Sequence, residues 1–283
     1  MKTLAHISDL HFGRTDPLVV EGLLADLAAA QPHLIIVSGD LTQKAQHREF
    51  RAAKDFLDRL PAPYLVIPGN HDVPPVNIIE RFLAPFARYR RFIQPDICPS
   101  FEEPDLAVLG INTARRFRWR WNWALGSISK AQIARVAEFF GGMPDTTFKI
   151  LVTHHPFLAP PDTPHEDLAA HASEAIPVFE AAGVDLILSG HLHRGYRGEV
   201  NGQKPGLHRS VLVLQAATAT STRLRHEPNA YNHILLEGRK VGFRVRSWDG
   251  ARFTGEATSW FEKESDRWLT LSGAAQAVSD HGQ

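Results

Sequence analysis

The sequence predicts an α/β fold. Apolar runs of strand length alternate with segments of helical periodicity up to about residue 190. The runs are continuously apolar rather than alternating, as expected of strands covered on both faces. Five of these runs also stop at side chains of the kind that bind metals, so they end at a functional edge rather than in ordinary turns.

The elements follow in order. Residues 3–8 read as a strand, and 17–30 as a helix started by Asp16 and Pro17. Residues 34–38 form a buried strand, 45–59 an amphipathic helix, and 64–67 another buried strand. A helix or two covers 76–92, interrupted near Pro85. Strands at 105–111, 148–153 and 185–189 alternate with helices at 129–140 and 173–182. From about residue 196 the pattern turns to alternating β segments, 211–217, 232–238 and 241–248, with a tight turn at Glu237-Gly238-Arg239-Lys240. No linker sets this part off. Residues 1–271 read as one catalytic domain, with 196–271 supplying the strands of a second sheet packed on the first, and 272–283 as a frayed tail.

The five runs are LAHISDLH, LIIVSGD, YLVIPGNHD, ILVTHH and LILSGHLH. They deliver Asp9 and His11, Asp40, Asn70 with His71 and Asp72, His154, and His191 with His193. In an extended segment residues i and i+2 point the same way, so Asp9 and His11 can grip one cation, and His191-Leu192-His193 repeats the geometry with two imidazoles. Glycine before Asp40, Asn70 and His191 permits close backbone approach. Asp40 has two usable oxygens and suits a bridging role, whereas Asn70 offers a neutral oxygen. Any one of these pairs is more often a helix cap or a solvent-facing strand end. Five in succession argue for a site for two cations.

This order of motifs, D-x-H, G-D, G-N-H-D, H-H-P and G-H-x-H over roughly residues 3–217, resembles the calcineurin-like metallophosphoesterases. Their bacterial branch of class III cyclic-nucleotide and glycerophosphodiester phosphodiesterases is the most similar. The resemblance implies a four-layer α/β/β/α metallophosphoesterase sandwich, two mixed β-sheets flanked by helices, with two metal ions at the strand ends. It implies that Asp9, His11 and His193 hold the first metal, that Asn70, His154 and His191 hold the second, and that Asp40 bridges both. His154 rather than His155 is the implied ligand because it stands two residues before Pro156. His155 then packs behind the ligands, with Ser8 and Thr153 as further supporting candidates.

The metals would be divalent or trivalent, iron, manganese or zinc, since oxygen and nitrogen donors admit all of these. A metal-bound hydroxide would attack the phosphorus of a small phosphoester. His71 would face the phosphate as an acid or as an electrostatic contact, with Asp72 orienting its ring. Arg14 and Arg223 are candidate substrate contacts, Arg223 within a polar stretch running from Thr218 to Arg225 and His226. A phosphodiester is the expected substrate, with cyclic AMP the first to test. A nucleotide-sugar or lipid pyrophosphatase, a phosphomonoesterase and a silent metal-binding scaffold are the alternatives.

Residues 113–126, TARRFRWRWNWALG, combine arginine and aromatic side chains without an acid. A substrate lid, a contact between copies in a homo-oligomer and a peripheral lipid contact all fit that composition. Formal net charge is zero, so no nucleic-acid binding is expected. The single cysteine, Cys98, excludes an internal disulfide. No signal-peptide pattern and no apolar run of membrane-spanning length are read, which gives a cytoplasmic expectation without a transmembrane segment.

Overall fold

Neighbouring residues of each central strand enter different cores, and this alternation builds the layers. In β2 (Leu34–Val37), Leu34 and Ile36 point to one side, while Ile35 and Val37 point to the other. The same division holds in β5 (Leu106–Ile111), where Leu106 and Val108 face the first of these cores and Ala107, Leu109 and Ile111 face a third. Both faces of the central strands of each sheet are therefore apolar and covered, giving the four layers α/β/β/α. The computed structural model describes residues 1–115, 124–158, 168–199, 210–224 and 227–271.

The first sheet is built around β1 (Lys2–Ile7), which runs parallel to β2, itself parallel to β3 (Tyr64–Val66). On the other side of β1 lies antiparallel β10 (Ala230–Glu237), with Leu4 opposite Ile234. Then come β11 (Lys240–Trp248), β13 (Ser259–Glu264) and β14 (Arg267–Thr270), with β12 (Phe253–Gly255) paired to β11. Helices α1 (Pro17–Ala30), α2 (His47–Leu57) and α4 (Ala87–Phe92) cover its outer face through Leu23, Phe50 and Tyr89. The Asp16 carboxylate accepts the Leu18 N–H at 2.9 Å and starts α1.

In the second sheet β5, β6 (Phe148–Thr153), β7 (Leu186–Ser189) and β9 (Leu212–Gln215) are parallel. Antiparallel β4 (Ser100–Glu103) and β8 (Tyr196–Glu199) close its edges. Helices α5 (Lys130–Gly141) and α6 (Ala172–Ala181) cover it. Leu186, Leu188, Leu212 and Leu214 meet Leu4, Leu34 and Ile36 between the sheets.

The helices fall where periodicity places them. The stretch 76–92 divides into α3 (Ile78–Leu83) and α4 on either side of Pro85, because proline excludes helical backbone in the residue before it. One expectation is corrected. Residues 196–271 do not make a second sheet of their own, since β8 and β9 join the β5–β7 sheet whereas β10 to β14 extend the sheet of β1. An alternating pattern says which side chains face a core, not which edge the strand joins. Ile234 and Leu236 complete the intersheet core beside Leu4, and this settles the edge. Strands β4, β13 and β14 carry mixed polar residues and lack the double-sided burial that marks the central strands. Residues 116–123 of the arginine and tryptophan segment, Arg225, His226 and the expected tail 272–283 lie outside the described residues. Among the described residues no helix is long and apolar enough to cross a membrane.

Candidate metal centre

Backbone bonds first bring the loops together. The N–H groups of Asp9, His11 and Phe12 donate to the carbonyls of Gly39, Asp40 and Leu41 at 3.1, 2.9 and 2.8 Å. The loop after β1 is thereby zipped to the loop after β2. The Gly190 N–H donates to His154 O at 3.0 Å, joining the loops after β6 and β7. Thr218 Oγ1 donates to Asp9 O at 2.6 Å and Thr220 Oγ1 to Leu10 O at 2.7 Å, so these buried hydroxyls clamp the first loop from behind. His154 Nδ1–H donates to Ser38 O at 2.8 Å and crosses from one sheet to the other.

The chain bends sharply at the candidate donors. Asp9, His11, Asp40, His191 and His193 have φ of +53°, +50°, +53°, +73° and +55°. Left-handed backbone is uncommon for residues with a side chain and costs on the order of 1–3 kcal/mol each. Its concentration on five of the seven expected ligands marks the strand ends as a functional edge. Two glycines let these loops touch. A Cβ on Gly69 would stand 2.1 Å from Asp40 Oδ1, and one on Gly190 would stand 2.4 Å from Asp9 Oδ2.

All seven expected donors converge. On one side His193 Nε2 lies 3.0 Å from His11 Nε2 and 3.2 Å from Asp9 Oδ1. His193 Nδ1–H donates to Arg223 O at 3.2 Å, which leaves Nε2 with its lone pair facing inward in the neutral ring. On the other side His154 Nε2 lies 3.1 Å from Asn70 Oδ1, and the rings of His154 and His191 have centroids 5.2 Å apart. Asp40 stands between, with Oδ2 3.4 Å from His154 Nε2 and 3.7 Å from His11 Nε2. Donor atoms of Asp9, His11 and His193 lie within 4.8 Å of one another, as do those of Asp9, Asp40 and His154. His155 is also near, but Nε2–H donates to Ala124 O and Nδ1 accepts from Thr113 Oγ1, both at 2.8 Å, so both ring nitrogens are engaged.

The donor set fits cations. Asp9 and Asp40 are fully buried carboxylates, and among the described residues Asp9 Oδ1 has no hydrogen-bond partner. A buried anion without a counterion is costly, so the pocket demands positive charge. The imidazoles register the same demand. Burial works against a charged His154, yet the Asp40 carboxylate, together with Asp9 and the Ser38 carbonyl, more than offsets it and raises the group to about 9. Burial likewise opposes a charged His193, and Asp9 raises it. His191 responds the other way, with burial and the nearby His154 pushing it down to about 3. A ligating imidazole is neutral, so cations bound here would displace the proton that the carboxylates favour on His154 and His193.

His71 stands at the rim. Its Nδ1–H donates to Gln43 O at 2.7 Å, so among the described residues Nε2 is left without a hydrogen bond. Here the expectation for Asp72 is corrected. Its carboxylate does not reach the His71 ring, because it accepts the N–H groups of Leu41, Thr42 and Gly69 and the Thr42 hydroxyl at 2.8 to 3.1 Å. Asp72 therefore fixes the loops that carry Asp40 and Asn70. Gln43 was not legible as the partner of His71, since it acts through a backbone carbonyl that any residue has. Arg223 lines a hollow of about 180 Å³ with Asp40, Asn70, His71, His191 and His193. Arg14 lines an adjoining one.

A profile of the calcineurin-like phosphoesterases matches residues 2–195. The chain belongs to that family. Among curated proteins of this kind, a probable glycerophosphodiester phosphodiesterase GpdQ of Arcobacter nitrofigilis is 24% identical over 127 residues, 44% of this chain and 42% of its own length. The chain thus aligns with less than half of that relative. A probable cyclic nucleotide phosphodiesterase of Synechococcus is 24% identical over 208 residues, 69% of this chain and 74% of that protein. A dimetal phosphatase from Danio rerio shares the fold, with a TM-score of 0.62 at 13% identity over 90% of this chain and 98% of that one. The relatives place the chain near the bacterial phosphodiesterases of the calcineurin-like family.

Proposed function

We propose that the protein is a metal-dependent phosphodiesterase acting on a small-molecule phosphodiester, with residues 1–271 as its catalytic domain. The observation that carries this reading is the convergence of Asp9, His11, Asp40, Asn70, His154, His191 and His193 on one buried, electron-rich pocket. Asp9, His11 and His193 would hold one cation, Asn70, His154 and His191 a second, and Asp40 would contact both. Two such cations supply Lewis acidity and lower the pKa of water in their reach.

The chain's own groups do the rest. The Ser38 and Arg223 carbonyls fix the tautomers of His154 and His193 by accepting from Nδ1–H, so each ring presents Nε2. Gln43 does the same for His71, whose Nε2 is the atom that meets the phosphoester. Protonated at Nε2, His71 donates to the leaving oxygen as the P–O bond breaks, and it offsets charge on the phosphoryl group before that. Arg14 and Arg223 draw the anionic substrate to the mouth.

The test is bound metal and turnover of bis(p-nitrophenyl) phosphate by the manganese-loaded protein and its Asp40→Ala variant. The variant is expected to lose metal and at least about a hundredfold in kcat, the scale on which electrostatic groups act in active sites. Full turnover by the variant overturns the reading.

A further inference from the structure

Two hollows meet at His71 and Arg223. One lies over the seven donors. The other, of about 540 Å³, opens beside it and is lined by Arg14, Lys44, Arg48 and Arg223 together with Gln43 and Glu49. Among the described residues Glu49 is the one acid on this wall, and it is committed, since its carboxylate accepts the N–H groups of Lys44 and Gln46 at 2.8 and 3.1 Å. Its side chain is buried, at 4% exposure.

The four cations stand exposed, and among the described residues none of them forms an ion pair. Elsewhere on the same surface cations do pair, as Arg59 with Glu21, Lys54 with Asp58 and Arg88 with Glu80. The backbone beneath the four is fixed. The Arg14 N–H donates to His11 O at 2.8 Å, and Arg14 O accepts the Thr222 N–H at 2.8 Å, which ties the loop of Arg14 to that of Arg223. Lys44 is anchored by Glu49, followed by Ala45 at φ +52°. Fixed backbone with unpaired cationic side chains is the arrangement that receives an anion from outside.

We propose that this hollow binds a second anionic group of the substrate, so that the preferred substrate is a phosphodiester bearing a further phosphate. The inference rests on the phosphodiesterase reading and refines its substrate class. One scissile phosphodiester carries a single negative charge and is met by His71, Arg223 and the buried donor set. Arg14, Lys44 and Arg48 exceed its need, and a hollow of this volume admits a sugar or nucleoside carrying another phosphate. Lys44 and Arg48 are the new specificity residues.

The experiment compares the manganese-loaded full chain on thymidine 5′-(p-nitrophenyl phosphate) with and without a 3′-phosphate. The expected kcat/KM is about tenfold or more higher with the 3′-phosphate, as one or two charge-assisted hydrogen bonds would give. The gain should lie in KM and shrink at about 0.5 M salt, where exposed charges are screened. In a Lys44→Ala/Arg48→Ala variant the ratio between the two esters should fall to near one. A ratio near one in the unaltered protein, or one unchanged in the double variant, overturns the inference.

If neither ester is cleaved, the phosphodiesterase reading has failed on its own. Calorimetry with thymidine 3′,5′-bisphosphate and thymidine 5′-monophosphate then still reads the hollow. Tighter binding of the bisphosphate that depends on Lys44 and Arg48 supports it, and equal affinity overturns it. A short single-stranded oligonucleotide that binds through Lys44 and Arg48 more tightly than the bisphosphate would overturn the small-molecule assignment.

Discussion

Asp40 accepts the backbone N–H of His71 through Oδ1 at 2.8 Å, while its Oδ2 faces His154. One carboxylate thus holds the loop of the proposed acid and stands between the two halves of the donor set. An Asp40→Asn variant keeps an acceptor for His71 N–H and removes the charge. Metal content by elemental analysis should fall sharply, with the melting temperature of the metal-free protein changing by only a few degrees. Unchanged metal affinity would show that the carboxylate does not serve the cations.

Asp72 predicts a different outcome. Its substitution by alanine strands three buried backbone N–H groups, of Leu41, Thr42 and Gly69, and removes one partner of the Thr42 hydroxyl. The expected loss is about 3–5 kcal/mol of stability, measured by urea unfolding, the range for breaking a buried polar network. A stable, fully folded but inactive variant would instead give Asp72 a direct role in the reaction.

Gly190→Ala tests the close contact between the loops. The added methyl would meet Ser8 Oγ at 1.9 Å and Asp9 Oδ2 at 2.4 Å, so one loop must move away. Since the Asp9 carboxylate accepts both Ser8 Oγ–H at 2.7 Å and the His191 N–H at 3.0 Å, the move displaces two of the proposed ligands together. Weaker metal binding should exceed any loss of helix content in circular dichroism.

His6, which is not among the proposed ligands, gives a pH dependence. It is fully buried between Ser38 and Asn232, and burial pushes it down to about 3. Above pH 6.5 the imidazole is neutral folded or unfolded. Between 6.5 and 3 the unfolded chain takes up a proton that the folded one refuses, and stability falls by about 1.4 kcal/mol per pH unit. In a His6→Asn variant, which does not titrate, the difference from the unaltered protein should shrink steadily as denaturation is followed from pH 7 to pH 5. A constant difference would remove His6 from the acid response.

Much of the site is legible from local pattern. Asp9, Asp40, Asn70, His154 and His191 each end or follow an apolar run, and the period of the run announces a strand end without reference to the rest of the chain. Asp72 and Gln43 were not legible in their roles. Both act on backbone groups, and backbone groups leave no trace in residue identity. Lys44 and Arg48 look like ordinary surface cations until the fold sets them beside Arg14 and Arg223.

The order of strands and helices and the pool of candidate donors were legible in the sequence itself, because hydrophobic period and ligand chemistry are properties of short segments, while the choice of seven among them was what the family resemblance implied. The division of the later strands between two sheets belongs to tertiary structure, since β10 lies against β1 only through pairings such as Lys2 with Leu236, far apart in the chain. Tertiary structure also supplied the partner of His71 and the gathering of four cations in one hollow. Those depend on which loops meet, and loops meet where buried strands place them.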